Sequence, residues 1–240
     1  RQLKDTYQIH TTEDNIEVFE KVDVVVLAVK PQHMDEVLDH LARTFPRTIK
    51  GVKLIISIAA GFPIARIERH LYQDLDESSM GLLPIVRVMP NTPALVLAGI
   101  AGMSGNAYAG ESDLDVARTI LAAIGGVMEF EEKDLDAVTA LSGSGPAYVF
   151  YVIEALVEAG AGFGLRPSHA LRLILETIKG SVKLLEETGE APASLRKKVT
   201  SKGGTTEAAL NVLNHQRVKG HLMDAVRAAA QRSKALSEPD

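Results

Sequence analysis

The chain of 240 residues has no cysteine and no tryptophan, and its aromatic residues are limited to six Phe and five Tyr. Zero cysteine excludes disulfides, thiolate metal sites, iron–sulfur clusters and cysteine nucleophiles together, and it suits a reducing compartment. So few rings leave little on which to stack bases or sugars. An excess of either charge is missing too. The 26 Lys+Arg and 31 Asp+Glu give a net charge of -5, a normal solubility charge without a basic field for nucleic acid or anionic lipid. The seven His form neither H-E-x-x-H nor an acidic cluster at ligand spacing, so no catalytic metal is expected. No stretch reads as a membrane span: the longest uncharged window, Val88 to Gly110, is broken by Pro90, Asn91, Pro93, Asn106 and several Gly. The opening Arg1-Gln2-Leu3-Lys4-Asp5 is not followed by the apolar run of a signal peptide. Lacking an initiator Met, the sequence reads as starting inside a longer chain. What is present, 46% hydrophobic and 24% charged residues, is ordinary globular composition.

Val22 to Val29 is a β-branched apolar run, expected as a strand buried on both faces of a parallel sheet. Met34, Val37, Leu38 and Leu41 then fall on one helical stripe, and Lys53 to Ile58 supplies a second strand. The pattern repeats with Pro63 in the first turn of a helix carrying Ile64, Ile67 and Leu71, followed by a strand at Val86 to Met89. A further strand at Ile100 to Ser104, a helix at Asp113 to Ile124 and a strand at Gly126 to Phe130 complete a doubly wound α/β domain. From Asp134 onward the chain is rich in Ala, Leu, Glu and Lys at helical spacing. This predicts an α/β domain over 1–132 and an all-α domain over 133–240. Tyr148, Val149, Val152, Ile153 and Leu156 make one helix apolar around much of its surface, so it is either central to its own domain or shared with another subunit.

Open parallel sheets bind ligands at the carboxyl ends of their strands. Here those ends are Ala28-Val29-Lys30-Pro31, Ala59-Ala60-Gly61 and Met89-Pro90-Asn91-Thr92-Pro93. Each alone is no more than a strand-to-helix turn, but three together point to a nucleotide crevice. Small residues admit a flat cofactor to the backbone, and Asn91 offers the donor and acceptor that a carboxamide needs. A G-x-G-x-x-G loop, which would cradle the pyrophosphate, does not precede Val22. A Rossmann-like domain would therefore lack its first strand, Gly-rich loop and helix here, and with them the residues that choose between NAD and NADP. Leu141 to Tyr148 is a flexible stretch of small side chains entering a helix at Pro146, and no strand precedes Ser142 or Ser144 as a nucleophile elbow requires. Lys198 to Leu210 is the sharpest local signal. Gly203-Gly204 followed by Thr205-Thr206-Glu207 would aim free N–H groups and hydroxyls at a small carboxylate, or would simply open a helix after a loop.

Taken together, Ala-Val-Lys-Pro at 28–31, Ser-Ile-Ala-Ala-Gly at 57–61, Arg-Val-Met-Pro-Asn-Thr-Pro at 87–93, Leu-Ser-Gly-Ser-Gly-Pro-Ala-Tyr at 141–148 and the 192–214 segment resemble the pyrroline-5-carboxylate reductase family, in its order. The resemblance implies reduction of 1-pyrroline-5-carboxylate to L-proline by NAD(P)H, the last step of proline biosynthesis, in the cytoplasm. It implies that Asn15, Ala28, Val29, Lys30, Pro31, Ala59, Ala60 and Asn91 line the cofactor crevice, with NADP(H) preferred and NAD(H) as the alternative. Ser201, Gly203, Gly204, Thr205 and Thr206 would bind the substrate, and Thr206 would reach the ring nitrogen as the catalytic group. A homodimer or higher homo-oligomer is implied, with no nucleic-acid or membrane partner. Two other readings stand beside it: a related hydroxyacid dehydrogenase, for which Lys179 could serve as general base, and a non-catalytic oligomeric binding protein.

Overall fold

The computed structural model describes residues 2–44 and 51–237. The chain opens with α1 (Gln2–Tyr7) and α2 (Asn15–Lys21), the latter started by Asp14, whose Oδ1 accepts the Ile16 N–H at 2.9 Å. It continues through β1 (Val24–Leu27), α3 (Met34–Thr44), β2 (Leu54–Ser57), α4 (Ile64–Leu71), α5 (Glu77–Met80) and β3 (Ile85–Met89). β4 (Gly99–Gly105), α6 (Glu111–Ala122) and β5 (Gly125–Glu129) follow.

The five strands form one sheet in the order β1-β2-β3-β4-β5. β1, β2 and β3 run parallel, with Leu27, Ser57 and Arg87 in one row, β4 is antiparallel to β3, and β5 is parallel to β4. Alternation of strand and helix predicts the parallel part. The reversal at β4 arises because residues 90–98 hold only a tight 3-10 turn, Thr92–Val96, and a parallel crossover needs a dozen residues or more.

On one face Val25, Leu27, Ile55 and Ile85 pack under Met34, Leu38 and Leu41 of α3 and Ile64, Ile67 and Leu71 of α4. On the other, Leu54, Ile56, Val86, Val88, Ala101 and Met103 meet Leu114, Ala117 and Leu121 of α6. Each such fully buried aliphatic side chain contributes about 1.5–3 kcal/mol. β1 departs from the expected two-sided burial. It is four residues long and at the sheet edge, with Val25 and Leu27 buried but Val26 46% exposed, because the α6 side does not cover it.

The remainder is helical: α7 (Leu135–Val138), α8 (Gly145–Gly162), α9 (Pro167–Thr188), α10 (Pro192–Lys198), α11 (Thr205–His215) and α12 (Val218–Ser237). Residues 141–148 are not the flexible stretch expected from their small side chains. A π-helical turn, Thr139–Gly143, carries the helix from α7 into α8, with Thr139 and Ser142 hydroxyls donating to the Leu135 and Val138 carbonyls. Gly143 lies against the Met89 side chain at the end of β3, whose Cε would have to move aside for a Cβ. Helical turns thus run, with a bend at Ser144, over Glu132–Gly162, a stretch long and apolar enough to cross a membrane by length and composition. The sequence reading took 141–148 as a flexible entry to a helix at Pro146 and did not count this stretch as a span.

The chain divides into two compact units, one holding the sheet with residues up to Ser144 and the chain from Ala229 onward, the other Gly145–Ala228. In the first, α12 is tied back by Ser233 Oγ donating to Asp136 Oδ1 at 2.7 Å. In the second, Ala170 is the only described residue that is buried. Phe150, Tyr151 and Phe163 on or just after α8 are 64%, 72% and 89% exposed. Of the two sequence readings of α8, centrality to its own unit is therefore excluded.

Candidate active site

The rows Leu27–Ser57–Arg87 set the three parallel strands side by side, about 4.8 Å apart, so residues 28–31, 58–61 and 89–93 emerge along one edge. Ala28, Val29, Lys30 and Pro31 are exposed, Ala60 and Asn91 are half-buried, and Ala59 is buried beneath them. Asn15 is the exposed first residue of α2, whose other end is held beside the amino end of β1 and β2 by Lys53 Nζ donating to the Val22 carbonyl at 2.7 Å. The expected cofactor residues at 28–31, 59–60 and 91 therefore lie along the carboxyl edge. The edge fits a flat dinucleotide: side chains are short along Ala28, Ala59 and Ala60, and the exposed Lys30, whose ammonium has no hydrogen-bond or ion-pair partner among the described residues, suits a phosphate.

Asn91 is more constrained than its sequence context suggests. Its Oδ1 accepts the Ile100 N–H at 2.9 Å and its carbonyl accepts the Ala94 N–H at 3.2 Å, so it staples the 92–98 turn to β4. The expected two-point pairing with a carboxamide is reduced to the Nδ2 donor and one remaining lone pair.

Behind the edge, α3 and α4 are joined by a charged network. Arg66 donates from Nε and Nη2 to Asp35 at 3.0 and 2.5 Å, while the His70 ring nitrogens lie 2.6 Å from Asp39 Oδ1 and 2.9 Å from Asp35 Oδ1. Burial pushes the Asp35 carboxyl up, but the hydrogen bonds and charges of Arg66 and His70 together outweigh it and hold the group below 3.8. Tyr72 is perturbed in the other direction. Burial raises its phenol far above 10.0, its O–H donates to the Leu83 carbonyl at 2.5 Å and accepts from Asn106 Nδ2 at 2.9 Å. Leu83 precedes β3, so this group sits at the far edge from the cofactor residues and serves packing.

In the second unit, Ser201, Gly203, Gly204, Thr205 and Thr206 lie together at the start of α11, an 11-residue helix with Gly204 as its N-cap. Gly203 has φ +75°, which the turn reserves for glycine, while a Cβ on Gly204 would crowd Ser201, 2.5 Å from its Oγ. Their amides are already used: Gly203 N–H donates to Glu207 Oε2 at 2.7 Å and Gly204 N–H to the Ser201 carbonyl at 3.1 Å. The donors left for an anion are those of the first helical turn, Thr205, Thr206 and Glu207. Among the described residues the Thr205 and Thr206 hydroxyls have no hydrogen-bond partner. Lys179, the base considered for a hydroxyacid dehydrogenase, is instead an exposed side chain donating to Glu176 at 3.2 Å. No group of three or more His, Cys, Asp and Glu that could hold a metal occurs among the described residues.

Sequence reasoning missed the Arg87–Glu132 pair. Arg87 is 6% exposed in the middle of the Ile85-Val86-Arg87-Val88-Met89 strand, and its Nη1 donates to Glu132 Oε1 at 3.0 Å. The signal was available, since a cation inside an apolar strand demands a buried counter-charge. In the sequence Glu132 is only the last residue of the expected α/β domain over 1–132.

Comparison with known proteins agrees with both halves. Residues 132–236 match the family model described as pyrroline-5-carboxylate reductase dimerisation, and residues 1–61 match the model described as NADP oxidoreductase coenzyme F420-dependent. A pyrroline-5-carboxylate reductase of Corynebacterium melassecola is 39% identical over 238 residues, covering 99% of this chain and 85% of that protein. The Synechocystis enzyme of the same name is 41% identical over 236 residues, covering 98% and 83%. The crystal structure of Plasmodium falciparum pyrroline carboxylate reductase with NADP bound superposes with a TM-score of 0.85 at 34% identity, covering 95% of this chain and 82% of that one. The Coxiella burnetii pyrroline-5-carboxylate reductase structure gives 0.83 at 36%, covering 98% and 84%. With a Rossmann-like sheet, an all-helical remainder and whole-length identity of this order, the chain belongs to the pyrroline-5-carboxylate reductase family.

Proposed function

We propose that the chain reduces 1-pyrroline-5-carboxylate to L-proline as the closing step of proline biosynthesis in the cytoplasm, taking hydride preferentially from NADPH and alternatively from NADH. The observation that carries this reading is the whole-length identity to reductases of that name, joined to a carboxyl edge whose short side chains suit a dinucleotide. Residues 1–132 serve the cofactor and 133–240 the substrate and self-association.

A cyclic imine becomes a strong hydride acceptor once its nitrogen is protonated, and the reduced nicotinamide, when bound, supplies the hydride. This chain's residues then have to bind, orient and protect. Ala28 to Pro31, Ala59 and Ala60 would give the cofactor backbone access, Lys30 would pair with its phosphates, Asn91 Nδ2 would offer a donor, and Asn15 at the start of α2 is assigned to the same crevice. The free amides at the start of α11 hold the substrate carboxylate, while Ser201, Gly203 and Gly204 set the turn that presents them. Thr205 stands beside Thr206, whose hydroxyl has an acceptor and a donor free for the ring nitrogen and its proton. Hydride on carbon and one proton on nitrogen balance the reaction, so no acid–base dyad is needed.

The second unit completes its core by self-association. With Ala170 its only buried described residue and Phe150, Tyr151 and Phe163 open, the α8 surface needs another protein face. Because the dimerisation model spans this segment, we assign its apolar face to a second copy rather than to lipid. The test of function is turnover: the full chain with NADPH and 1-pyrroline-5-carboxylate should consume both and yield proline. Loss of neither would reject the reading.

A further inference from the structure

α4 begins immediately after the Ala59-Ala60-Gly61 edge, yet it has no local cap: Pro63 at the N-cap position makes no side-chain hydrogen bond to the helix. The first amide of the helix, Ile64 N–H, donates instead to Glu132 Oε1 at 2.7 Å, across 68 positions of sequence. The same oxygen accepts from Arg87 Nη1 at 3.0 Å. Arg87 lies in β3, two residues before Met89 and four before Asn91, and its side chain is 7% exposed. One carboxylate therefore holds two of the three segments that form the cofactor edge, just after Gly61 on one side and just before Met89 on the other. Glu132 itself begins the helical run whose Gly143 packs against Met89, so the arrangement closes at both ends of residues 132–143.

We propose that Glu132 is a positioning residue for cofactor binding, setting the spacing between the Ala59–Ala60 and Met89–Asn91 segments through Ile64 N–H and Arg87. The inference rests on the reading of the carboxyl edge as the dinucleotide crevice. Its physical basis is that a shift of about 1 Å in groups that orient a ligand can cost on the order of a hundredfold in rate even when the shift starts elsewhere. Removing the carboxylate leaves Arg87 buried without its counter-charge and frees the start of α4, so both segments relax together. None of the hydrogen bonds made by Glu132 among the described residues reaches 201–206, so the proposal concerns cofactor binding and leaves KM for the substrate near the parent value.

The test uses Glu132→Ala, Glu132→Gln and Glu132→Asp in the full chain, with NADPH affinity measured by fluorescence without substrate and KM measured for each reactant. Glu132→Ala should weaken NADPH binding by about ten- to a hundredfold while KM for 1-pyrroline-5-carboxylate changes little. Glu132→Gln keeps an acceptor for both donors but leaves Arg87 without its counter-charge, and should recover part of the affinity; Glu132→Asp, too short to reach both, should recover less. A lower melting temperature with NADPH affinity unchanged in the folded variants would overturn the proposal and leave Glu132 a packing residue. Should Glu132→Ala fail to fold, the Gln-versus-Asp order decides, and equal NADPH affinity in those two overturns it. If the unaltered chain neither binds NADPH nor turns over, the functional reading fails first, and the two failures are distinct.

Discussion

Thr206→Ala separates a chemical role from a structural one more cleanly than the sequence alone suggested. A threonine near a helix start is commonly a cap, and loss of a cap costs about 0.5–2 kcal/mol of stability. Here the N-cap is Gly204, and the Thr206 hydroxyl has no partner among the described residues, so the substitution removes no hydrogen bond from the folded chain. Thr206 is half-buried inside the first turn, where alanine is the better helix former by about 0.5 kcal/mol. Stability should therefore hold or rise slightly. If the hydroxyl meets the ring nitrogen in the transition state, kcat/KM for 1-pyrroline-5-carboxylate should fall by roughly ten- to a thousandfold, equivalent to about 1.4–4 kcal/mol. The Thr206 amide remains in the alanine variant, so carboxylate binding and NADPH affinity should scarcely move. Thr206→Ser restores the oxygen and should regain much of the loss. Steady-state kinetics and melting curves on both variants decide it: an alanine variant of normal stability and normal turnover would refute the assignment.

Asn91 can be dissected in the same way, because its Oδ1 serves Ile100 N–H while its Nδ2 is proposed to serve the cofactor. Asn91→Ala should lower stability by about 1 kcal/mol and raise KM for NADPH, whereas Asn91→Asp should keep the turn but not the cofactor donor; normal NADPH kinetics in the aspartate variant would count against the assignment. Asp35→Asn tests the α3–α4 network by pH. The folded carboxyl is held below 3.8, so its stabilisation is complete well above that value and disappears as pH falls through the folded-state value. The melting-temperature gap between parent and variant should be small, since the Asp35 side chain is 40% exposed, and should close in acid; a gap that is constant down to pH about 2 would contradict the network. Phe150→Asp should shift sedimentation toward monomer and lower the melting temperature together, and a stable, unaltered assembly would show that α8 is not the contact.

What the sequence made legible follows from period and punctuation. Met34, Leu38 and Leu41, and Ile64, Ile67 and Leu71, fall on single helical stripes, and all six are buried in the structure. The strand ends at 28–31, 59–61 and 89–93 could be read as one edge because parallel strands carry their ligands there. Less visible were features set by partners distant in sequence. Nothing local to Val22–Val29 shows that Val26 lies outside the α6-covered face, nor does the Gly-rich 141–148 segment announce a π-helical turn. Glu132 looked like a boundary charge because its partners, Ile64 and Arg87, are 68 and 45 positions away. The commitment of Asn91 Oδ1 to Ile100 and of the Gly203 amide to Glu207 is likewise decided by the fold of the turns, not by residue type.

The central claim is that this chain carries hydride to a cyclic imine. The most direct measurement follows NADPH oxidation and product formation when the full chain is mixed with 1-pyrroline-5-carboxylate, using NADPH deuterated at the transferred position. The account predicts one proline formed per NADPH consumed, with the deuterium on the former imine carbon and faster turnover with NADPH than with NADH. NADPH consumed without labelled proline, or no consumption by a folded chain, would contradict it.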